Sequence, residues 1–534
     1  MAKHIFVTGG VVSSLGKGII SSSIGKLLQS RGYSITIQKF DPYINIDPGT
    51  LNPYEHGECY VTCDGTETDL DLGHYERFTG IRTARANSLT TGRIFKAVIE
   101  RERRGDYLGK TIQIVPHITD EIKRNIKLLA EQSECDFVIT EIGGTIGDIE
   151  SAPFMEAIRQ MKWEMGRDAI FVHLTYVPYL SAAGEVKTKP TQHSVKELQG
   201  EGIQPDVLIL RTERHLDQAI LRKVASFCNV DEDCVIQSED LPSIYEVPLN
   251  MQAQGLDTAI LRKVGLEAGP TPPLGPWRSF VTRYQNASKK VRIGLVGKYN
   301  LQDAYKSIRE ALIQAGTYHD VKTELVFVDS EKLNQDNAAQ MLEGLAGVVI
   351  CPGFGERGTQ GKIDAVKYTR EKDIPTFGIC LGMQMIVVEF ARNVLGYSDA
   401  HSVELNPRTS HNVIDIMEEQ KNITDMGGTM RLGAYACTLE EGSRVKEIYS
   451  KSDIEERHRH RYEFNNQYLN EFEAAGMKCS GRNPESGLVE IVEIPGKRWF
   501  IGTQFHPEYQ STVLAPHPLF MDFVRCASES VCSD

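Results

Sequence analysis

A cysteine between two glycines is the residue of this sequence whose setting points most directly to chemistry. Cys380 lies midway between Gly378 and Gly382, and the apolar pattern predicts a strand over 375–379 and a helix over 383–395. A sulfur at a helix N-terminus is in a setting that favours the thiolate, the reactive form. The glycine spacing is typical of a nucleophile elbow, in which small residues permit a sharp turn. A lone cysteine in an apolar strand is more often a core residue, but the glycines favour a nucleophile.

A histidine and a glutamate far downstream supply the partners that a cysteine nucleophile needs. His506 and Glu508 follow a predicted strand over 498–504. The imidazole of His506 would accept the thiol proton and Glu508 would orient the ring, which completes a Cys-His-Glu triad. The backbone N–H of Leu381 would donate to a developing oxyanion.

A glycine-rich segment near the N-terminus predicts a phosphate-binding loop. A short apolar strand, the loop 9–18 and a helical pattern over 19–31 follow one another. Backbone N–H groups and the helix dipole favour phosphate in this setting, and Lys17 neutralises its charge. The glycine spacing is one residue longer than in a P-loop, and Gly18 replaces the Ser or Thr that would bind Mg²⁺. Such a turn is also often purely structural.

The metal would therefore be held elsewhere, and two acidic stretches are available. They cover residues 67–73 and 141–150, and the second directly follows a predicted strand over 137–140. Carboxylate oxygens at a strand end beside phosphates are ligands that Mg²⁺ prefers. Alternatively, these carboxylates are solvated loop residues or helix N-caps.

Length and composition bound the class of protein. A chain of 534 residues is too long for one core and predicts at least two domains. The net charge of −13 argues against nucleic-acid binding. The basic cluster 457–461 is interpreted as a ligand-facing loop. No stretch is long and apolar enough for a membrane span or a targeting signal. We expect a soluble, cytoplasmic protein that binds neither nucleic acid nor membranes.

The eleven cysteines do not form a recognisable metal or disulfide pattern. Cys59 and Cys63 have no second pair to complete a site. Free thiols in a reducing compartment fit this distribution better.

A proline-rich stretch marks the boundary between two halves. Four prolines fall within 270–276, which predicts a stiff, extended connector, and residues 277–290 read as polar and irregular. In both halves short apolar strands alternate with helical spans, which predicts two doubly wound α/β domains. The predicted domains are 1–266, P-loop-like, and 291–534, with the linker 267–290 between them.

The second half resembles the class I glutamine amidotransferases on the cysteine and histidine motifs above. In that family these residues hydrolyse glutamine and release ammonia. Where relatives carry Pro-Gly-Gly-Phe-Gly, this chain has Cys-Pro-Gly-Phe-Gly at 351–355, so Pro352 has no N–H and the second oxyanion donor is expected from Gly353. The resemblance implies that glutamine is held by Gly353, Leu381, Gly382, Met383, Gln384, Glu404 and Arg461.

The whole chain resembles the CTP synthase family. The resemblance rests on the segments 9–18, 39–49, 67–78, 141–150 and 184–194, which occur in one order from end to end. It implies Asp71 and Glu141 as Mg²⁺ ligands and Arg431 as a contact for GTP. The implied ATP-binding residues are Ser14, Leu15, Gly16, Lys17, Gly18, Ile19, Lys39, Asp71, Glu239, Asp240 and Leu241. The implied UTP- or CTP-binding residues are Ser13, Asp148, Ile149, Glu150, Lys187, Thr188, Lys189, Pro190, Thr191, Gln192 and Lys223.

Two of these assignments are chemically informative. Lys187 and Lys189 would act as point charges on a triphosphate, although two loop lysines are ordinarily solubilising charge. Relatives often carry a basic residue followed by Asp-Val in the adenine-side segment, whereas this chain has Glu-Asp-Leu at 239–241. This departure affects the expected ATP contact.

The resemblance implies a ligase of pyrimidine nucleotide biosynthesis. ATP, as cosubstrate with Mg²⁺, would phosphorylate O4 of UTP, and ammonia from L-glutamine or from solution would displace the phosphate to give CTP. GTP would activate glutamine hydrolysis, CTP would inhibit as product, and the chain would form homodimers and nucleotide-promoted homotetramers.

Three alternatives come from other classes of protein. A partition-type ATPase would explain the N-terminal loop but not the triad. A filament or scaffold protein with an inactive amidotransferase domain would be expected to lack one triad member. A cobyrinate-type amide ligase combines similar domains, and the segment 187–192 argues against it.

Overall fold

The computed structural model describes residues 2–417, 420 and 427–530. They divide into two compact units. The first comprises Met1–Asp47 and Asp71–Val281, and the second comprises Pro48–Leu70 and Thr282–Asp534. The chain therefore enters the second unit, returns to the first, and then enters the second again.

The β-strands of the described residues are numbered along the chain. They are β1 Lys3–Gly9, β2 Ile35–Asp41, β3 Tyr60–Val61, β4 Glu67–Thr68, β5 Ser88–Thr90, β6 Phe137–Ile142, β7 Ala169–Tyr176, β8 Tyr179–Leu180, β9 Glu185–Val186, β10 Val207–Thr212, β11 Val235–Glu239, β12 Lys289–Gly297, β13 Val321–Asp329, β14 Gly347–Ile350, β15 Thr376–Ile379, β16 His401–Ser402, β17 Asn412–Ile416, β18 Arg431–Leu439, β19 Asp453–His460, β20 Tyr462–Phe464, β21 Lys478–Arg482, β22 Val489–Glu493 and β23 Phe500–Thr503.

The α-helices are numbered in the same way. They are α1 Lys17–Ser30, α2 Pro53–His56, α3 Asp71–Thr79, α4 Thr91–Arg104, α5 Thr119–Ser133, α6 Ala152–Met165, α7 Lys189–Gly200, α8 Gln218–Cys228, α9 Val247–Ala253, α10 Leu256–Lys263, α11 Gly275–Asn286, α12 Lys306–Tyr318, α13 Ala338–Met341, α14 Thr359–Glu371, α15 Leu381–Asn393, α16 Arg444–Tyr449, α17 Leu469–Ala474 and α18 Pro518–Ser530.

The first unit is built on a parallel sheet in the order β11-β10-β7-β1-β6-β2-β5. Strand β1 lies in the middle, and its neighbours β6 and β7 run in the same direction on either side. These strands are almost continuously buried because helices cover both faces of the sheet. Since all carboxyl ends meet at one edge, the loops after β1, β2, β6 and β7 converge there. The predicted doubly wound fold is confirmed.

The second unit is built on a mixed sheet in the order β13-β12-β14-β15-β23-β22-β21-β18-β19. The strands from β13 to β23 are parallel, and those from β22 to β19 are antiparallel. Strands β15 and β23 are neighbours, with Gly378 opposite Gly502. This pairing brings the carboxyl end of β15, before Cys380, next to that of β23, before His506.

The segment 48–70 belongs to the second unit, which the sequence did not predict. Its strands β3 and β4 form a short hairpin. The Glu58 carboxylate accepts hydrogen bonds from the backbone N–H of Ser307 at 2.9–3.0 Å, at the start of α12. The backbone carbonyl of Cys63 accepts from the Ala434 N–H at 2.9 Å. A side chain at Gly65 would overlap the Leu432 carbonyl, so the hairpin packs closely on β18.

Two sequence interpretations were wrong. Residues 275–286, expected within an irregular linker, form helix α11 because Trp277, Phe280 and Val281 share one buried face and the Trp277 indole donates to the Tyr245 carbonyl at 2.7 Å. The basic cluster 457–461 is no loop, since Arg457 to His460 end strand β19. That strand alternates buried histidines with arginines that have partners of their own.

Two further observations concern the described residues only. Their cysteines are free, as the sequence predicted. Among them, no helix has the length and apolar composition that crossing a bilayer requires.

Candidate active sites

Cys380 lies at a strained turn between β15 and α15. Its backbone has φ 52° and ψ −107°, which an L-residue adopts only when its surroundings enforce it. Both flanking glycines are required by close backbone packing: a Cβ at Gly382 would overlap the Ile350 carbonyl oxygen, and one at Gly378 would lie 2.8 Å from the Gly382 carbonyl oxygen. The helix begins directly after the cysteine, two residues earlier than predicted. The predicted strand-turn-helix arrangement is present.

His506 and Glu508 are held together beside the cysteine. His506 Nδ1 lies 2.8 Å from Glu508 Oε1, and both side chains are buried. Burial acts to lower the pKa of His506, but the negative charges of Glu508 and of the Cys380 sulfur together raise it to about 10. The His506 ring is therefore cationic near neutral pH, and a cation next to a thiol favours the thiolate.

A pair of tyrosines supports the side chain of His506. The Tyr509 ring stacks on His506, with centroids 5.0 Å apart and an angle of 10° between the planes. Tyr60, from the segment 48–70, donates its hydroxyl hydrogen to the Tyr509 carbonyl at 2.9 Å and accepts from Arg457 at 2.9 Å. Tyr509 in turn donates to the Cys59 carbonyl at 3.1 Å. The inserted hairpin thus fixes the residue on which the imidazole rests.

A buried lysine holds the loop that contains Gly353. Lys362 Nζ donates to the Cys351 carbonyl at 2.6 Å and to the Pro352 carbonyl at 3.5 Å. Because carbonyl and N–H point in opposite directions across a trans peptide, the Gly353 N–H points away from Lys362. Gly353 has φ 155°, a conformation that favours glycine. Burial lowers the pKa of Lys362 to about 8, although the Cys351 and Cys380 sulfurs act to raise it.

The cysteine site opens into a cavity of about 80 Å³. Its lining combines residues of the triad, the 351–355 loop and the inserted segment, namely Pro53, Glu58, Cys59, Tyr299, Ala304, Tyr305, Ile308, Pro352, Gly353, Phe354, Cys380, Arg459, His506, Glu508 and Tyr509. The structure therefore brings Gly353 together with the predicted triad.

The other residues implied for glutamine binding lie around this cavity without lining it. Leu381, Gly382, Met383 and Gln384 form the first turn of α15. Glu404 accepts from the Gly355 N–H at 3.0 Å, and burial raises its pKa. Arg461 donates to Gln420 at 2.5 Å and to Thr429 at 2.9 Å.

Arg431, the implied GTP contact, is largely buried. Its guanidinium lies 2.8 Å from Glu490 Oε1 and 4.4 Å from the centre of the Tyr435 ring. Glu490, His458 and His460 are close enough to offer three ligand atoms to a metal. However, the histidines bond to each other at 2.9 Å and Arg431 already balances the carboxylate, which argues against a cation there.

In the first unit, two lysines and two carboxylates converge at the edge of the sheet. Lys39 bonds to Asp71 and lies 2.9 Å from Glu141 Oε1. Lys17 donates to the Gly144 carbonyl at 2.6 Å, and burial lowers its pKa. A Cβ at Gly18 would overlap the Asp71 carboxylate. The glycine that stands where a P-loop has Ser or Thr thus makes room for a carboxylate oxygen.

This donor set fits a divalent cation. The Glu141 and Asp71 carboxylates meet on Lys39, beside the predicted phosphate loop, and hard oxygens of this kind suit Mg²⁺. Burial raises the pKa of Glu141, whereas Lys39 outweighs burial and lowers that of Asp71 to about 2. Tyr75 donates to Glu141 Oε2 at 2.5 Å and orients it. Glu67 lies in the same acidic stretch as Asp71, but its carboxylate bonds to Arg459 at 2.8 Å.

Six of the eleven residues implied for ATP line one cavity of about 190 Å³. It is lined by Ser14, Leu15, Gly16, Ile19, Ile20, Arg211, Ser238, Glu239, Leu241, Ser243, Ile244 and Val247. Asp240 does not line it because its carboxylate bonds to Arg211. Glu239 replaces the basic residue that relatives often carry, and its Oε1 lies 2.7 Å from His215 Nδ1.

The residues implied for UTP fall into two groups, apart from Lys223, which lies on helix α8. Ser13, Asp148, Ile149 and Glu150 lie on the loops after β1 and β6, and Asp148 accepts from the Thr145 N–H at 2.6 Å. Lys187 and Thr188 precede helix α7, and Lys189 to Gln192 form its first turn. Lys187 bonds to Glu185, and this hydrogen bond, together with the charges of Lys187 and Lys223, lowers the pKa of Glu185. The loop from β1 packs on this helix, since a Cβ at Gly10 would overlap Ser194.

Several functional candidates escaped the sequence reasoning. Arg211, Lys362, Tyr60 and Tyr509 contact the sites described above but lie in none of the motifs that the sequence analysis used. Tyr75 lies in the segment 67–78, but no role was expected for it. Their only sequence signal is that they are charged or aromatic residues near a motif, which many residues share. Together the two sites define a cysteine-dependent amidotransferase joined to a nucleotide-dependent ligase.

Comparison with known proteins agrees with this class. Residues 3–266 match the family described as CTP synthase N-terminus, and residues 300–526 match the family described as glutamine amidotransferase class-I. The chain belongs to the CTP synthase family, as its sequence predicted.

Three relatives illustrate the similarity. A CTP synthase of Bacteroides thetaiotaomicron is 71% identical over 530 residues, which cover 99% of both chains. A CTP synthase of Porphyromonas gingivalis is 63% identical over 98% of this chain and 97% of the relative. The solved Trypanosoma brucei CTPS glutaminase domain with bound acivicin is 40% identical over 45% of this chain and 94% of that one, with a TM-score of 0.42.

Proposed function

We propose that this chain aminates UTP to CTP with ammonia from glutamine, at the expense of ATP, in pyrimidine nucleotide biosynthesis. The observation that carries the proposal is the presence, in one chain of this family, of a Cys-His-Glu set and a lysine-carboxylate set at a phosphate loop. Each set alone is common among enzymes. Their combination in one chain is explained by a reaction that consumes both the released ammonia and a nucleoside triphosphate.

In the second unit, Cys380 attacks the side-chain carbonyl carbon of glutamine. His506, whose ring already holds the proton given up by the thiol, donates a proton to the leaving ammonia, while Glu508 keeps the imidazole oriented. The N–H groups of Gly353 and Leu381 donate to the oxyanion. Water then hydrolyses the thioester to glutamate, with His506 as the base. The residues of the first turn of α15, Glu404 and Arg461 hold the glutamine.

In the first unit, the γ-phosphoryl group of ATP passes to O4 of UTP, and ammonia then displaces the phosphate at C4. Such a transfer depends on positioning and charge neutralisation, which Lys17 and Lys39 supply. Mg²⁺, held by Asp71 and Glu141, would balance the phosphate charges. The cavity between the β1 loop and residues 239–241 accommodates the adenine, and Lys187, Lys189 and Lys223 stabilise the UTP triphosphate.

The regulatory assignments rest on family membership. GTP activates glutamine hydrolysis through Arg431, and CTP inhibits at the UTP site. In the structure Arg431 bonds to Glu490, whose carbonyl accepts from the Gln504 N–H at 2.8 Å, so an effect on Arg431 would reach the catalytic strand end. Arg431→Ala should abolish the response to GTP without affecting synthesis from ammonium. An unchanged response would place the effector elsewhere.

Assembly, location and domain limits complete the proposal. Leu108, Ile149 and Trp163 leave 87–90% of their surface exposed, which supports assembly into homodimers and nucleotide-promoted homotetramers. The protein acts in the cytoplasm. Its functional domains are the synthetase domain 1–266 and the amidotransferase domain 291–534.

The test follows the change in ultraviolet absorbance as uracil becomes cytosine, with UTP, ATP and Mg²⁺ and either glutamine or an ammonium salt. Cys380→Ser should lower the glutamine-supported rate by at least about 10³-fold and leave the ammonium-supported rate intact. Cys526→Ser, a buried cysteine away from the triad, is the matched control. Lys17→Ala should lower both rates by about 10²-fold or more, because phosphoryl transfer precedes amination in both cases.

The two variants distinguish the assignments. Full glutamine activity in Cys380→Ser would contradict the triad. A Lys17→Ala effect confined to glutamine would assign the lysine to coupling instead of phosphoryl transfer. No absorbance change with either nitrogen source in the unmodified chain would overturn the proposed reaction.

A further inference from the structure

A buried glutamine carboxamide lies against the cysteine sulfur. Gln504 directly follows β23 and has no exposed surface. Its Nε2 lies 3.7 Å from Cys380 Sγ, and its Oε1 lies 3.3 Å from Gln384 Nε2. None of the roles assigned above involves this side chain.

The surrounding hydrogen bonds fix which end of the carboxamide faces the sulfur. Gln384 Nε2 also donates to the Tyr462 carbonyl at 2.9 Å, and a carbonyl only accepts. Gln384 therefore donates from its NH₂ group to Gln504, and Gln504 accepts this hydrogen bond with its carboxamide oxygen. The remaining end of Gln504, its NH₂ group, points at the sulfur and can only donate.

The backbone on both sides of this contact is fixed as well. The Gln504 N–H donates to the Glu490 carbonyl at 2.8 Å, and the Cys380 N–H donates to the Thr503 carbonyl at 2.7 Å. Cys380 and Gln504 thus follow the ends of two adjacent strands whose backbones are hydrogen-bonded to each other. A donor held in this way needs no rearrangement when charge appears on the sulfur.

The two protonation states of the sulfur use different neighbours. A thiol can donate its hydrogen to the Arg459 carbonyl, which lies 3.7 Å from Sγ. Once the proton has left, this carbonyl presents a negative pole to a negative sulfur, and Gln504 remains as a neutral donor. Among the residues that the structure describes, the charged groups around the sulfur and its cavity are His506, Glu508, Glu58, Lys362 and the Arg459–Glu67 pair.

We propose that Gln504 is a catalytic residue of glutamine hydrolysis whose carboxamide donates a hydrogen bond to the Cys380 thiolate and, after its attack, keeps the sulfur in line. Gln384 orients that carboxamide, in addition to its proposed contact with the substrate. The inference rests on the proposed function, because it adds a donor to the same nucleophile.

The test compares three variants of the full chain. Gln504→Met keeps the length of the side chain and removes the donor. Gln504→Glu keeps an acceptor for Gln384 but presents a negative charge to the sulfur. Gln314→Met is the control, since Gln314 is equally buried in the second unit and bonds to Ser511 instead of the catalytic groups.

Two readouts separate a chemical role from a structural one. The first is the rate at which iodoacetamide alkylates Cys380, followed by mass spectrometry of its peptide from pH 6 to 10. In Gln504→Met we expect the pH midpoint of this rate to rise by about one unit, which corresponds to a tenfold loss of thiolate stabilisation. The second is steady-state glutaminase activity, where kcat should fall about 10- to 100-fold with little change in KM for glutamine. Gln504→Glu should raise the alkylation midpoint and lower kcat further than Gln504→Met does. Gln314→Met should change neither quantity.

Ammonium-supported CTP synthesis reports whether each variant is folded and whether the proposed overall reaction is correct. If Gln504→Met also loses ammonium-supported synthesis, it is not correctly folded. The alkylation midpoint and glutaminase kcat of Gln504→Glu, compared with those of the unmodified chain, then test the role of Gln504. An unshifted alkylation midpoint in a variant that retains ammonium-supported synthesis would overturn the role of Gln504. Alkylation does not depend on UTP or ATP, so failure of the proposed reaction would leave this result readable.

Discussion

At the scale of single residues, the cysteine site is characterised by buried positive charge. His506 has a carboxylate partner, and its charge is retained to about pH 10. Lys362 has no carboxylate within ion-pair distance among residues 2–417, 420 and 427–530, and its ammonium is balanced only by backbone carbonyls and nearby sulfurs. An unpaired buried ammonium destabilises the fold, so its presence beside an oxyanion loop indicates function.

Replacing this lysine should therefore separate stability from activity. In the folded chain the pKa of Lys362 lies at about 8, below its ordinary 10.5, so the folded state loses the proton first and stability rises between these pH values. Below pH 8 the cost of burying the charge is fully present, up to about 3 kcal/mol. Lys362→Met should raise the midpoint of thermal unfolding at pH 7 yet lower glutaminase kcat about 10-fold or more. Calorimetry and steady-state rates measure the two effects.

The pH profile supplies the internal check on this prediction. In the unmodified chain glutaminase activity should decline above pH 8 as Lys362 loses its charge, whereas Lys362→Met should lack that decline. Lys367→Met, on the same helix α14, is the control and should change neither quantity. A Lys362→Met variant that is less stable at pH 7 would show that its hydrogen bonds outweigh the cost of burial.

At the scale of elements, the hairpin segment 48–70 links the two units within one chain. It leaves the first unit after Asp47 and re-enters it at Asp71, a proposed Mg²⁺ ligand. In between, Tyr60 fixes Tyr509, on which the His506 ring stacks. A segment of the second unit that residues of the first unit flank in the chain therefore supports the side chain of His506.

Removing one hydroxyl group tests this support. Tyr60→Phe removes one hydrogen bond from Arg457, which still donates to the Val61 carbonyl, and one from the Tyr509 carbonyl, and losing hydrogen bonds to buried polar groups costs about 1–3 kcal/mol. Because a displaced imidazole slows proton transfer, glutamine-supported synthesis should fall by up to about 10²-fold, while ammonium-supported synthesis persists. Tyr397→Phe, whose hydroxyl bonds to Glu471, is the matched control. Equal rates in both variants would show that Tyr509 holds the histidine without the hairpin.

Sequence reasoning succeeded where chemistry and local structure coincide. The elbow at Cys380, the helix after Lys17 and the alternation of strands and helices are written in neighbouring residues, and the structure contains them. It failed for the segment 48–70, because hydrogen bonds to residues hundreds of positions away leave no local pattern. Residues such as Lys362 and Gln504 escaped for the same reason, since only the fold shows that they contact the oxyanion loop and the sulfur.

At the scale of the whole molecule, the two activities are connected by the nitrogen that passes from one to the other. Ammonia in neutral water is mostly protonated to ammonium, which has no lone pair to attack C4 of the activated uracil. Ammonia released at Cys380 is neutral, and it stays nucleophilic only if it reaches the nucleotide site before it gains a proton. Carrying both activities in one chain ties the release of ammonia and its use to the same molecule.

The last prediction tests this argument with the glutaminase inactivated. In Cys380→Ala, with an ammonium salt at fixed, subsaturating total concentration, the rate of CTP formation should rise with pH in proportion to the neutral NH₃ fraction. Only the free lone pair can attack, and a charged ammonium ion is costly to desolvate. Burial lowers the pKa of Lys17, so the rise should bend at alkaline pH as this lysine loses its charge. A rate that followed total ammonium, flat with pH, would mean that the nucleotide site binds the cation and deprotonates it there. Protection from protonation would then no longer explain why the two activities share one chain.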